Sequence, residues 1–206
     1  MLLAALLAAV LGASRGLGSR DLFDDIYDRG QKQNAGLKTL TASFTESSTS
    51  ALLAKPLIEM GTVYVERPSR VVLRYRDPDT RVVLMDGDSM TVSWPSAKIF
   101  TVTDIGGAQR RVQKYFVDSS AKELRGHFDI KAREADDRPG TYVLAMVPKR
   151  KQIQEGVARL DLWLDKTTLL LAAMRMTFPS GDTKLMTFTD VKPNVPIDPA
   201  MFVVKK

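Results

Sequence analysis

The chain has 206 residues, 44% hydrophobic and 26% charged, a composition that can bury a sizeable core and excludes a disordered chain. It has no cysteine and a single histidine, His127. That excludes disulfides, thiolate zinc sites, a cysteine nucleophile and an acylated N-terminal cysteine, and leaves no histidine pair for a metal. Thirty Lys and Arg against 24 Asp and Glu give a formal net charge of +6. The cations are scattered, and the one tight run, Lys149-Arg150-Lys151, reads as a solvated turn rather than a nucleic-acid footprint.

Met1 to Leu11 is almost purely apolar and leads into Gly12-Ala13-Ser14. The run is too short to span a bilayer and fits the apolar core of a signal peptide before small residues. The expectation is a signal peptide over residues 1–18, export, and a single domain over residues 19–206. Gly12, Gly16 and Gly18 resemble the glycine turn of a dinucleotide site. No tyrosine of the chain has a lysine four residues later, and no alternation of strands and helices follows, so that reading fails.

From Asp21 to about Ala35 the pattern predicts a helix. Leu22, Phe23, Ile26, Tyr27 and Gly30 form one stripe, Asp21, Asp24 and Asp25 sit at the positive end of the dipole, and Ser19 is a candidate cap. Leu40–Glu46 alternates as a strand, and Ser47–Lys55 reads as a polar loop. Between Glu59 and Pro95, four short apolar segments are separated by Arg67-Pro68-Ser69, Asp77-Pro78-Asp79 and Asp86-Gly87-Asp88, which predicts antiparallel strands joined by hairpins. Alternation places Arg67 in line with Val63 and Val65, an arginine on an apolar row. Asp86 and Asp88 read as hairpin turn residues rather than an acid–base pair.

Ala97–Ile105 predicts another strand. Ala108 to about Arg125 shifts to helical spacing, with Val112, Tyr115, Phe116 and Leu124 apolar, and with Ser119 or Ser120 able to cap a second short helix. Strands return at Phe128–Ala132, Thr141–Pro148, Val157–Asp165, Leu169–Phe178 and Thr183–Val191. Alternation groups Leu160, Leu162 and Leu164, then Leu170, Ala172, Met174, Met176 and Phe178, then Met186 and Phe188. About ten strands with two helical segments predict a mainly β fold: a curved antiparallel sheet forming an incomplete β-barrel, closed by a helical lid. Two narrow helices leave room for an unfilled cavity. Methionines on the inner rows suit either an adaptable binding surface or the gaps of a packed core.

Thr39-Leu40-Thr41-Ala42-Ser43-Phe44-Thr45-Glu46, then Gly61-x-Val63-x-Val65-x-Arg67-Pro68, Asp77-Pro78, Asp86-Gly87, Trp94-Pro95 and Asn194-Val195-Pro196-Ile197-Asp198-Pro199-x-x-Phe202 follow one another in an order that resembles the LolA-type periplasmic lipoprotein carriers. The resemblance covers Leu37 to Phe202. It implies a non-enzymatic, monomeric periplasmic carrier with no cofactor or metal, whose cavity takes lipoprotein acyl chains from an inner-membrane release complex to an outer-membrane receptor. On that resemblance the acyl cavity draws on Val63, Val65, Val71, Leu73 and Tyr75. It continues over Met90, Val92, Trp94, Leu160, Leu162 and Leu164, then Met174, Met176, Phe178, Met186 and Phe188. Arg67 would latch the lid, and Phe23, Ile26, Val112, Tyr115 and Phe116 would belong to the lid helices. Related folds carry other acylated lipids or glycolipids, or act as periplasmic interaction modules, and these stand as alternatives.

Overall fold

The computed structural model describes residues 21–107 and 120–205. Eleven antiparallel strands form one sheet: β1 (Thr39–Thr49), β2 (Leu57–Glu66), β3 (Arg70–Asp77), β4 (Arg81–Asp86), β5 (Ser89–Trp94), β6 (Ile99–Asp104), β7 (Phe128–Glu134), β8 (Thr141–Pro148), β9 (Arg159–Asp165), β10 (Leu171–Thr177) and β11 (Thr183–Pro193). Their spatial order is β6-β5-β4-β3-β2-β1-β11-β10-β9-β8-β7. Every neighbour is a hairpin partner except β1 and β11, which pair directly. The expected mainly β architecture is present, and the sheet is open: β6 and β7 are its two edges. One strand more than expected emerges, and β1 runs to Thr49, through residues read as loop, because Ser47, Ser48 and Thr49 pair with both flanking strands or with β11.

Helix α1 (Leu22–Gln33) lies against β7 and against α2 (Ala121–His127). Asp21, not Ser19, caps α1: its carboxylate accepts from the Asp24 N–H at 3.1 Å. Ser19 lies outside the described residues. Phe23 and Ile26 of the stripe are buried in the main core, each worth about 1.5–3 kcal/mol as apolar burial. Gly30 passes over Leu169, where an added Cβ would sit 3.9 Å away. The far end of α1 is held by Gln33 Nε2 donating to the Thr167 carbonyl at 2.6 Å and Asn34 Nδ2 to that of Thr168 at 3.3 Å. Helix α2 has a full capping box. Ser120 Oγ accepts from the Glu123 N–H and Glu123 Oε2 accepts from the Ser120 N–H at 2.7 Å. Arg125 of α2 pairs with Asp21 and Asp24 and stacks 4.9 Å over the Phe23 ring, tying the two helices together. A third helix, α3 (Lys151–Gln154), takes up part of the basic run read as a turn.

Two departures from simple alternation matter. In β10 the pairing with β9 slips between Leu171 and Ala173, so Ala172 is an extra residue. Leu171 and Met174 therefore both reach the main core, while Ala173 packs with Trp163 and Val143 on the other face. In β2, Gly61 stands opposite Phe44. A Cβ there would meet Phe44 Cζ at 2.6 Å and the Arg74 carbonyl closer still, so the ring of Phe44 can lie across this strand only because no side chain is present. Phe44 then meets Tyr75 edge to face, with ring centroids 4.9 Å apart.

Candidate functional site

The sheet has two ends. Arg67 lies at one, in the β2–β3 turn. The other carries the β1–β2, β3–β4 and β10–β11 hairpins and the segment between α3 and β9. A cavity of about 590 Å³ runs along β4 and β5, from Met85 and Met90 to Glu46, Trp94 and Lys184 toward this second end. At about 30 Å³ per non-hydrogen atom, the share of a water molecule in its liquid, it has room for roughly twenty atoms.

Its walls come from β3 (Leu73, Tyr75), β4 (Arg81, Val83, Met85), β5 (Met90, Val92, Trp94) and β10 with its end (Met176, Phe178). Gly156 and Val157 close one side, and Glu46 of β1 and Lys184 of β11 complete the wall. The lining is mainly apolar because these strands present alternate residues inward: Leu73 and Tyr75, then Val83 and Met85, then Met90 and Val92. Unlike the fully covered rows of β9, most of β4 and β5 is only half-buried.

Charged groups enter the wall in pairs. Glu46 is 0% exposed. Its carboxylate pairs with Lys184 Nζ and accepts from the Tyr75 hydroxyl at 2.9 Å. Arg81 pairs with Glu59 at 3.0 Å, its guanidinium 4.0 Å over the Tyr75 ring and 5.2 Å from that of Trp94. Burial, reinforced by the neighbouring Glu46 carboxylate, holds the Tyr75 phenol above its ordinary value, so it remains a donor throughout the neutral range. Each cation on the wall has its own carboxylate. The wall therefore presents balanced charge and an apolar surface, suited to an uncharged aliphatic guest.

Of the residues expected at the cavity, Leu73, Tyr75, Met90, Val92, Trp94, Met176 and Phe178 line it. Val63, Val65, Val71, Leu160, Leu162, Met174, Met186 and Phe188 are instead buried in the main core, and Leu164 packs against that core. Leu73, Tyr75 and Met176 belong to both, standing where that core meets the cavity. Phe23 and Ile26 belong to the same packed core rather than to the cavity wall. Val112, Tyr115 and Phe116 lie outside the described residues. Arg67 reaches the connection after α1, donating from Nη1 to the Leu37 carbonyl at 3.4 Å, and its backbone N–H bonds the Lys38 carbonyl at 2.9 Å.

Glu46, Arg81, Val83, Met85, Val157 and Lys184 were not singled out from the sequence. The signal was present: Glu46 continues the row Leu40, Ala42, Phe44, and Arg81 begins the row Val83, Met85. Among the described residues no group of three or more His, Asp or Glu side chains is placed to hold a metal ion, and no helix is long and apolar enough to cross a membrane.

The family model for the outer membrane lipoprotein carrier protein LolA matches residues 35–205. An outer-membrane lipoprotein carrier protein of Pseudoalteromonas translucida (strain TAC 125) is 24% identical over 172 residues, covering 84% of this chain and 79% of the relative. Among solved structures, an uncharacterized conserved protein from Thermus thermophilus superposes with a TM-score of 0.55 at 10% identity, covering 86% of this chain and 90% of that one. The Pseudomonas aeruginosa MucA/MucB complex contains a similar fold, with a TM-score of 0.53 at 15% identity, 89% of this chain and 61% of that one. At these identities the structural likeness speaks to fold alone.

Proposed function

Since the chain belongs to the LolA family of outer membrane lipoprotein carrier proteins, we propose that it shields the acyl chains of lipoproteins and ferries them through the periplasm. The observation that carries this reading is the apolar cavity of about 590 Å³ with internally balanced charges. The carrier works by burial and catalyses no reaction. Each methylene taken from water contributes about 0.8 kcal/mol, so a 16-carbon chain gains on the order of 12 kcal/mol before ordering costs. A gain that large would trap cargo unless something opposes it. Widening the half-buried walls supplies an opposing cost.

In this reading the protein acts as a monomer, receives cargo from an inner-membrane release complex and yields it to an outer-membrane receptor. Arg67 ties the β2–β3 turn to the connection after α1, and loss of that tie changes how long cargo is held. The test is direct. Purified protein is titrated with a fluorescent palmitoyl probe and then with a triacylated lipopeptide as competitor. Saturation at one probe per chain, displaced by the lipopeptide, is expected. Folded protein that takes up neither would overturn the carrier reading. Displacement by a glycolipid but not by the lipopeptide would reassign the cargo.

A further inference from the structure

The β1–β2 hairpin tip is the most exposed apolar element among the described residues. Leu52 is 95% exposed, and Leu53, Leu57, Ile58 and Met60 are also exposed. Scattered exposed leucines need no explanation, but Leu52 and Leu53 sit side by side at the tip, with Leu57, Ile58 and Met60 exposed on the two faces of β2, which leads from it. The tip is a formed turn: the Leu53 N–H donates to the Ser50 carbonyl at 3.0 Å and the Leu52 N–H to Ser50 Oγ at 3.3 Å. Its base is fixed, since Thr49 and Thr183 share a hydroxyl hydrogen bond of 2.6 Å and Glu59 on β2 is paired with Arg81.

Position and charge say what covers the patch. The tip rises above one end of the cavity, because Glu46 and Lys184, on the strands just below it, line the cavity. No carboxylate occurs from Ser47 to Ile58, and the only charge there is Lys55. On the other flank of the opening, just ahead of Gly156 and Val157, Lys149, Arg150 and Lys151 are all exposed. The β3–β4 and β10–β11 hairpins at this end carry Asp79 and Asp182 instead of exposed leucines. Apolar side chains beside cations are the two signals that together hold a protein at an anionic lipid surface.

We propose that the β1–β2 tip is a membrane-docking element. Leu52 and Leu53 enter the acyl boundary of an anionic bilayer, and the basic segment that leads into α3 meets the headgroups, so this end of the cavity faces lipid. The carrier reading explains why such a contact would be useful, but vesicle binding by the tip requires no cargo, and the experiment separates the two.

The full chain is sedimented with vesicles of phosphatidylcholine and with vesicles of phosphatidylcholine mixed with phosphatidylglycerol. Binding to the mixed vesicles, weakened by salt, is expected. The Leu52→Asp/Leu53→Asp variant should bind at least tenfold more weakly, and Lys149→Glu/Arg150→Glu/Lys151→Glu should erase the preference for anionic vesicles. Both variants should keep the wild-type circular dichroism and palmitoyl-probe uptake in solution. Wild-type protein that ignores both vesicles, or the leucine variant binding as tightly as wild type, would overturn the proposal. Binding only to vesicles that contain membrane proteins would overturn it too, and would make the patch a protein contact. Loss of probe uptake with vesicle binding intact would strike the carrier reading alone.

Discussion

The two halves of this sheet solve the same problem in opposite ways. Where β8, β9 and β10 curve over α1, the inner rows are sealed: Leu160, Met174 and Met186 are almost wholly buried with Phe23 and Ile26 against the same core. Where β3, β4 and β5 curve, no described helix residue reaches the wall, and Val83, Met90 and Val92 remain half-buried around an opening. The chemistry of the two rows is nearly the same, Val, Leu and Met in both. Among the described residues, Phe23 and Ile26 of α1 join the sealed rows, and no helix residue lines the cavity.

That contrast can be broken by substitution. Two substitutions should have the largest effects, and the first is on β2. Gly61→Ala drives a methyl group into Phe44 and the β3 backbone, and should cost about 3 kcal/mol, at the upper end for overpacking, read as a fall in denaturation midpoint. Met174→Ala, in the sealed half, should cost about 2–5 kcal/mol by leaving a void, whereas Met90→Ala, beside existing space, should cost less than about 1 kcal/mol. Equal losses at the two methionines would dissolve the distinction. Lys184→Met strands the Glu46 carboxylate without its cation and should destabilise by about 1–3 kcal/mol. The double variant with Glu46→Leu should recover most of that loss, which chemical denaturation of the three proteins would show. Val83→Trp fills the opening and should abolish probe uptake while the fold persists.

The smallest effect concerns acid. Hydrogen bonds from the Thr168 backbone, then its hydroxyl and the Thr167 backbone, hold the Asp165 carboxyl below its ordinary value of 3.8. A depressed carboxyl contributes stability that is complete above the unfolded value and disappears as pH falls through the folded one. The turn that receives Gln33 and Asn34 of α1 should therefore loosen only below about pH 4, and Asp165→Asn should flatten that part of the stability profile.

Much of the fold was legible because strand signals were local. Proline, glycine and aspartate at Arg67-Pro68, Asp77-Pro78 and Asp86-Gly87 mark hairpins, and the observed strands end at or beside them. The slip at Ala172 was not legible, since a bulge is set by the neighbouring strand rather than by its own residues. Nor could alternation separate core from cavity: it places Val63 and Leu73 on the same concave face, and only the packing of other elements decides which is sealed. The charged wall residues were readable in principle. Glu46 and Arg81 keep the inward phase of their strands, but an ionic side chain at a strand end is ordinarily assumed to lie in water. Arg67 drew notice by the same pattern at the other end, where it meets the Leu37 carbonyl.

Because β6 and β7 share no hydrogen bonds, the sheet has a seam along its length. A sealed cylinder must rupture ladder bonds to grow wider, at a cost that rises with every pair broken. Here the girth can change by bending alone, with all ten strand pairings intact. A change of width in that direction leaves every strand ladder whole, which a closed barrel does not allow.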